Sequence, residues 1–100
     1  MILHLSVKFG TPEEVAARVV TAEVNRDGVF EVLLVDDPVD KLGTYILNYL
    51  SKGKRGDKHF ICKILVKNGK LFVLTAQVKE ENYPEKQDEM MKCVDSFAIG

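Results

Sequence analysis

The chain is short of the residues on which most site chemistry depends. It has no tryptophan, two histidines and two cysteines in 100 residues. Cys62 and Cys93 have no metal spacing, and His4 and His59 are the only imidazoles, so a zinc site of the usual kind is not expected. Two buried free thiols behaving as small apolar side chains is the favoured reading; a Cys62–Cys93 disulfide is the alternative. An excess of one charge is missing as well. Fourteen basic residues against fifteen acidic ones leave a net charge of −1, so no global field draws the protein to nucleic acid or to an anionic membrane. No apolar run approaches the length of a membrane span. The opening MILHLSVKFG lacks the basic flank and long apolar centre of a signal peptide. What is present is ordinary for a single folded domain, with 46% apolar and 29% charged residues.

Catalytic signatures are equally scarce. A nucleophile would be a cysteine or a serine, yet no histidine accompanies one in a recognisable motif. His59 stands three residues before Cys62, which on a strand sends the two side chains to opposite faces. Gly53 and Gly56 flank Lys54-Arg55, but the stretch is not a phosphate-binding loop and opens no helix. Lys52, Lys54, Arg55 and Lys58 are too few for a nucleic-acid surface and lack an aromatic stacking platform. They read as a solvated basic loop or as a docking patch for an anionic protein. The acidic cluster Glu80, Glu81, Glu85, Asp88 and Glu89 reads as solvated surface.

The local patterns define a series of elements. Ile2 to Lys8 alternates as a strand, with Leu3, Leu5 and Val7 on one side. Thr11 is an N-cap, Pro12 occupies the first helical position, and Glu13 and Glu14 favour the positive end of the helix dipole. That helix is expected from Pro12 to about Val20, fading into β structure at Val19-Val20-Thr21. Asn25 to Gly28 is a turn, Val29 to Val35 a strand, Asp36 to Gly43 (with Pro38) a loop, and Thr44 to Ser51 a further strand. Lys58 to Lys67 and Lys70 to Val78 form a hairpin around Asn68-Gly69, a pair suited to the positive φ angles of a type I′ turn. Phe60, Cys62, Ile64 and Val66 share one face of its first strand, with Lys63 and Lys67 directed away. A last amphipathic helix runs from about Glu85 to Phe97, with Met90 and Val94 on its apolar stripe. One dry sheet face receives this helix and the other is partly polar, placing Cys62 in the core near Val94. The fold class is α+β: an antiparallel sheet of four to five strands flanked by helices, in one domain over residues 1–100.

Three segments carry a family resemblance: FGTPEEVAARVV, GDKHFICKILVKNGKLFVLTAQVKEENY and MMKCVDSF. In this order they resemble the PsbP family, the extrinsic thylakoid-lumen proteins of photosystem II and their PsbP-like and PsbP-domain relatives. The shared features are the FG-[ST]-P-E helix start, a basic loop before a K/R-H strand, the NGKL turn with an alanine-glutamine pair beyond it, and the closing SF. The resemblance covers Phe9 to Phe97. It implies an αβα sandwich, a fold shared with a Ran-binding nuclear-import factor, and no catalytic activity. Family domains are longer, so the chain is expected to lack N-terminal strands of the family.

The resemblance also implies roles. Family members help to retain calcium and chloride at the oxygen-evolving complex or assist photosystem assembly, and the NGKL region is most similar to the PsbP-domain branch. A chloroplast lumenal binding or assembly module is therefore expected, peripheral to the membrane only through photosystem subunits. The alternative is a protein-binding module outside the thylakoid, like the Ran-binding relative. His59 and Glu80 match positions near a bound divalent ion in the family, and both fall at the open end of the hairpin, where cross-strand neighbours meet. They are the expected ligands of a weakly held zinc, manganese or calcium ion. Lys52, Lys54, Arg55 and Lys58 are the expected partner-binding residues. A sheet short of strands exposes an edge, and Ile2 to Lys8 offers a route to a homodimer.

Overall fold

The computed structural model describes residues 1–35, 39–41 and 44–97 of the chain. Six strands and two helices follow in the order β1 (Ile2–Lys8), α1 (Pro12–Val24), β2 (Val29–Leu34), β3 (Val39–Lys41), β4 (Thr44–Gly53), β5 (Lys58–Lys67), β6 (Lys70–Lys79) and α2 (Tyr83–Ser96). A 3₁₀ turn over Glu80–Asn82 leads into α2. The sheet order is β1-β6-β5-β4-β2, with β3 pairing beside β2 along β4, and every pairing is antiparallel. Of the expected loop from Asp36 to Gly43, residues 39–41 form β3 and the remainder lies outside the described residues.

The hairpin forms where Asn68-Gly69 allows it: Asn68 has φ 53° and Gly69 φ 75°, the left-handed values a type I′ turn requires. Thr11 caps α1, its hydroxyl accepting from the Glu14 N–H at 3.2 Å. The helix does not fade at Val19. It runs on to Val24, because the helix penalty of a β-branched residue is under about 1 kcal/mol and packing of Val15, Ala16 and Val19 on the sheet outweighs it. The last helix likewise begins earlier than expected, at Tyr83.

The expectation of one dry and one polar face is corrected by the register. Phe60 lies opposite Gln77 and Ile61 opposite Ala76, so Phe60, Cys62, Ile64 and Val66 of β5 face one way, and Phe72, Leu74, Ala76 and Val78, the alternating apolar residues of β6, face the other. Each helix covers its own face. Under α1 lie Leu47, Tyr49, Phe60, Cys62, Ile64, Leu71 and Val73, with Val15 and Ala16 packed on them. Under α2 lie Ile61, Ala76 and Val78, with Met90 and Val94. Cys62 therefore sits in the α1 core, across the sheet from Val94. Both cysteines are free, Cys62 buried and Cys93 half-buried.

Lys63 is a second correction. It does not point into water but is 8% exposed, under the end of α2. Its ammonium donates to the carbonyls of Val94 (3.0 Å), which also accepts from the Phe97 N–H, and Phe97 (2.9 Å), at the helix C-terminus where carbonyls run short of intrahelical donors. Among the described residues no helix is long and apolar enough to cross a membrane.

Candidate functional site

The open end of the β5–β6 hairpin gathers the expected site residues. Lys58 pairs with Lys79 and His59 with Val78, so the chain leaving β6 at Glu80 emerges beside His59. The Glu80 N–H donates to the Asp57 carbonyl at 2.9 Å, which carries the pairing one step past the strands. The 3₁₀ turn then reverses the chain and lays Tyr83, the first residue of α2, over the imidazole. The two rings stack with centroids 3.5 Å apart and planes 5° from parallel.

His59 is 2% exposed and has partners on both ring nitrogens. Nδ1 donates to the Glu80 carboxylate at 2.8 Å, and Nε2 faces the side-chain amide of Asn48, which lies diagonally across the strands on the same sheet face. The predicted pair His59–Glu80 is thus brought together, but in direct hydrogen bonding. A cation there would have to displace that bond, and one imidazole and one carboxylate would hold it. No group of three or more His, Cys, Asp or Glu residues able to hold a metal occurs among the described residues. The arrangement fits a pin that fixes the start of α2 better than a resident metal centre. Sequence reasoning missed Asn48 and Tyr83. The Tyr83-Pro84 step at the helix start was the available signal for Tyr83; Asn48 needed the β4–β5 register.

The four predicted partner-binding cations share one end of the sheet without sharing one face. Lys52 is on the α2 face, opposite Glu31 of β2. Lys54 and Arg55 are exposed in the loop after β4. The loop is held by the Lys54 N–H donating to the Gly28 carbonyl at 2.9 Å. Gly53 permits this close approach, since a Cβ there would lie 2.8 Å from the Gly28 oxygen. Lys58 is on the α1 face, directly opposite Lys79, a like-charge pair that costs stability unless something anionic lies near. Arg55, Lys58 and Lys79 line an open groove of about 550 Å³ together with Asp57, Glu80 and Glu81. None of these three cations forms an ion pair among the described residues.

His59 and Cys62 do not cooperate. They lie on opposite faces, as the alternation of β5 predicts, and burial pushes the Cys62 thiol up to about 11. Burial likewise raises the Tyr49 hydroxyl well above its usual range.

One antiparallel sheet enclosed between two helices, each covering its own face, defines a three-layer α–β–α sandwich. Residues 6–99 match the PsbP family, and the chain belongs to that family. The solution structure of cyanobacterial PsbP (CyanoP) from Synechocystis sp. PCC 6803 is similar, with a TM-score of 0.74 and 16% sequence identity. The alignment covers 98% of this chain and 66% of that one, so this chain spans a little under two thirds of its relative. A protein of unknown function from Pseudomonas aeruginosa, PA94, shares the fold more loosely, with a TM-score of 0.58 and 9% identity over 100% of this chain and 85% of that one. No curated protein matches the chain.

Proposed function

We infer that the chain is a non-catalytic binding or assembly module of the photosynthetic apparatus, acting in the thylakoid lumen on a photosystem subunit through the charged end of its sheet. Family membership supports the setting. The observation that carries the surface is the Lys58–Lys79 pair, without an ion pair among the described residues, with Arg55 at its side in a groove open to solvent. Two cations held opposite one another by backbone register are stabilised when a partner's carboxylate lies between them. Lys54, exposed beside Arg55 in the same loop, adds positive charge, while Asp57, Glu80 and Glu81 give the groove both signs and hence a preferred partner orientation.

The His59–Glu80 pair has a supporting part in this reading. It ties Glu80, which lines the groove, to the imidazole stacked under Tyr83 at the start of α2, and a divalent ion enters only by exchanging with its hydrogen bond. Zinc titration followed by NMR is expected to move the His59 ring resonances only at millimolar metal. Saturation at micromolar metal would establish a true metal site instead.

Co-sedimentation of the purified chain with isolated photosystem complexes tests the docking. Binding is expected to weaken as salt rises, because exposed charges are screened beyond roughly 8 Å at physiological ionic strength. The double substitution Lys54→Glu, Arg55→Glu is expected to weaken it further at low salt. Binding unchanged by both would remove this surface from the account.

A further inference from the structure

β1 is the one long strand that ends the sheet, and its outer backbone edge has no partner among the described residues. Its seven residues are poorly protected. Leu3, Leu5 and Val7 are 47%, 53% and 47% exposed, and Lys8 at the strand's end carries its one formal charge. The opposite edge also exposes apolar side chains, Phe30 at 74% and Leu34 at 51%, but it is divided between β2 and β3 and interrupted by an irregularity between Val29 and Glu31. A broken edge resists pairing, whereas an unbroken one templates it.

The three exposed side chains also lie on a defined face. Leu3, Leu5 and Val7 stand opposite Ala76, Leu74 and Phe72 of β6, the face that α2 covers further in. They therefore continue the α2 core out to the sheet's margin without a cover of their own.

We propose that β1 pairs antiparallel with β1 of a second copy about a two-fold axis at Leu5, making one continuous sheet across a homodimer. This register alone pairs all seven residues of the strand. Leu5 meets Leu5 of the copy and Leu3 meets Val7, so apolar side chains oppose apolar ones on the α2 face, while on the other face His4 meets Ser6 and Ile2 meets the aliphatic stem of Lys8. The two Lys8 residues fall at opposite ends of the junction, roughly 20 Å apart along the strands, and do not repel appreciably. Six apolar side chains then form a strip between the two α2 helices. Because the axis uses the same edge in both copies, assembly closes at two.

The mass of the full chain in solution, measured by sedimentation from micromolar to millimolar concentration, tests this. A monomer–dimer equilibrium is expected. Leu5→Lys, which places two ammonium groups face to face at the axis, is expected to raise the dissociation constant by at least about tenfold. Leu5 is half exposed in the single chain, so the variant should keep its circular dichroism spectrum. The register has its own readout in a Cys93→Ser background. Leu5→Cys is expected to cross-link readily, since directly opposed Cα atoms lie about 4.5–5.5 Å apart. Leu3→Cys should not, its two sulfurs being held roughly 14 Å apart along the strands. A monomer at every concentration, a dimer indifferent to Leu5→Lys, or Leu3→Cys linking as fast as Leu5→Cys would each overturn the proposal.

Discussion

The two faces of the sheet are held by different physics. The α1 face is an apolar core of nine buried residues, with Tyr49 stacked on its cross-strand partner Phe60 at 4.8 Å. Its main polar insertion is Glu23, which accepts from the Ser51 hydroxyl at 2.7 Å and pairs with Arg26. The α2 face has five such residues, and α2 itself buries only Met90 and Val94. Fully burying two side chains of that size stabilises by about 2 kcal/mol each, little for a helix of 14 residues. Directional contacts make up the difference: His59, Tyr83 and Glu80 at the helix start, Lys63 at its end. Apolar packing sets how strongly a helix is held; polar pins at its ends set where it lies.

The sharpest way to test that division is to weaken each face in turn. Leu47→Ala, in the α1 core, is expected to cost about 3–4 kcal/mol by leaving a cavity, visible in chemical denaturation. Amide exchange should rise throughout the molecule, because this core joins α1 to the central strands. His59→Ala is expected to cost about 2–3 kcal/mol, since it removes the ring that Tyr83 stacks on and leaves Asn48 without that partner. Its signature differs: exchange should rise first in residues 80–96 while α1 remains protected. Uniform loss of protection in both variants would mean that the faces form one cooperative unit, and the distinction would fall.

How much of this was legible in the sequence depends on the range of the interactions. The Asn68-Gly69 turn and the Thr11 cap are fixed by their immediate neighbours, and both were readable. The pairing of His59 with Glu80 was implied by the family resemblance, and counting along the hairpin on either side of its turn put both at its open end. The two-sided core did not follow. Lys63 signalled an outward face, because a formal charge usually marks solvent, and a buried lysine under a helix end is recognisable only once that helix is placed. The length of α1 was misjudged for a related reason: its β-branched Val19 and Val20 argue for strand locally, and contact with the sheet decides otherwise. Asn48 was out of reach because its role needs a third strand in register.

Lys63 gives the next test in size. Lys63→Met keeps the aliphatic stem against the sheet but removes the donor from the Val94 and Phe97 carbonyls, an expected loss of about 1–2 kcal/mol. Exchange should rise in the last turn of α2 and not at its start. If the variant is as stable as the parent, water replaces the ammonium and the helix end is not pinned.

The thiols report the contrast most gently, because labelling need not unfold anything. Cys62 is fully buried in the α1 core and Cys93 half-buried on α2, so Cys93 should react first with a thiol reagent and Cys62 only through opening of the α1 face. Thiolate is the reactive form, and burial, which raises Cys62 to about 11, disfavours it further. The sign of the pH effect follows from that shift. The unfolded chain loses the Cys62 proton near its usual value of 9.0 while the folded chain keeps it to about 11, so stability from this group is intact below pH 9 and is lost as pH rises to 11. Tyr49, raised in the same direction by burial, adds to the alkaline loss at higher pH. Melting temperature should therefore fall above pH 9, and the fall should be shallower in Cys62→Ala than in the parent. An equal slope in both would show that the thiol titrates alike in the two states, and that the α1 face admits water more freely than its packing implies.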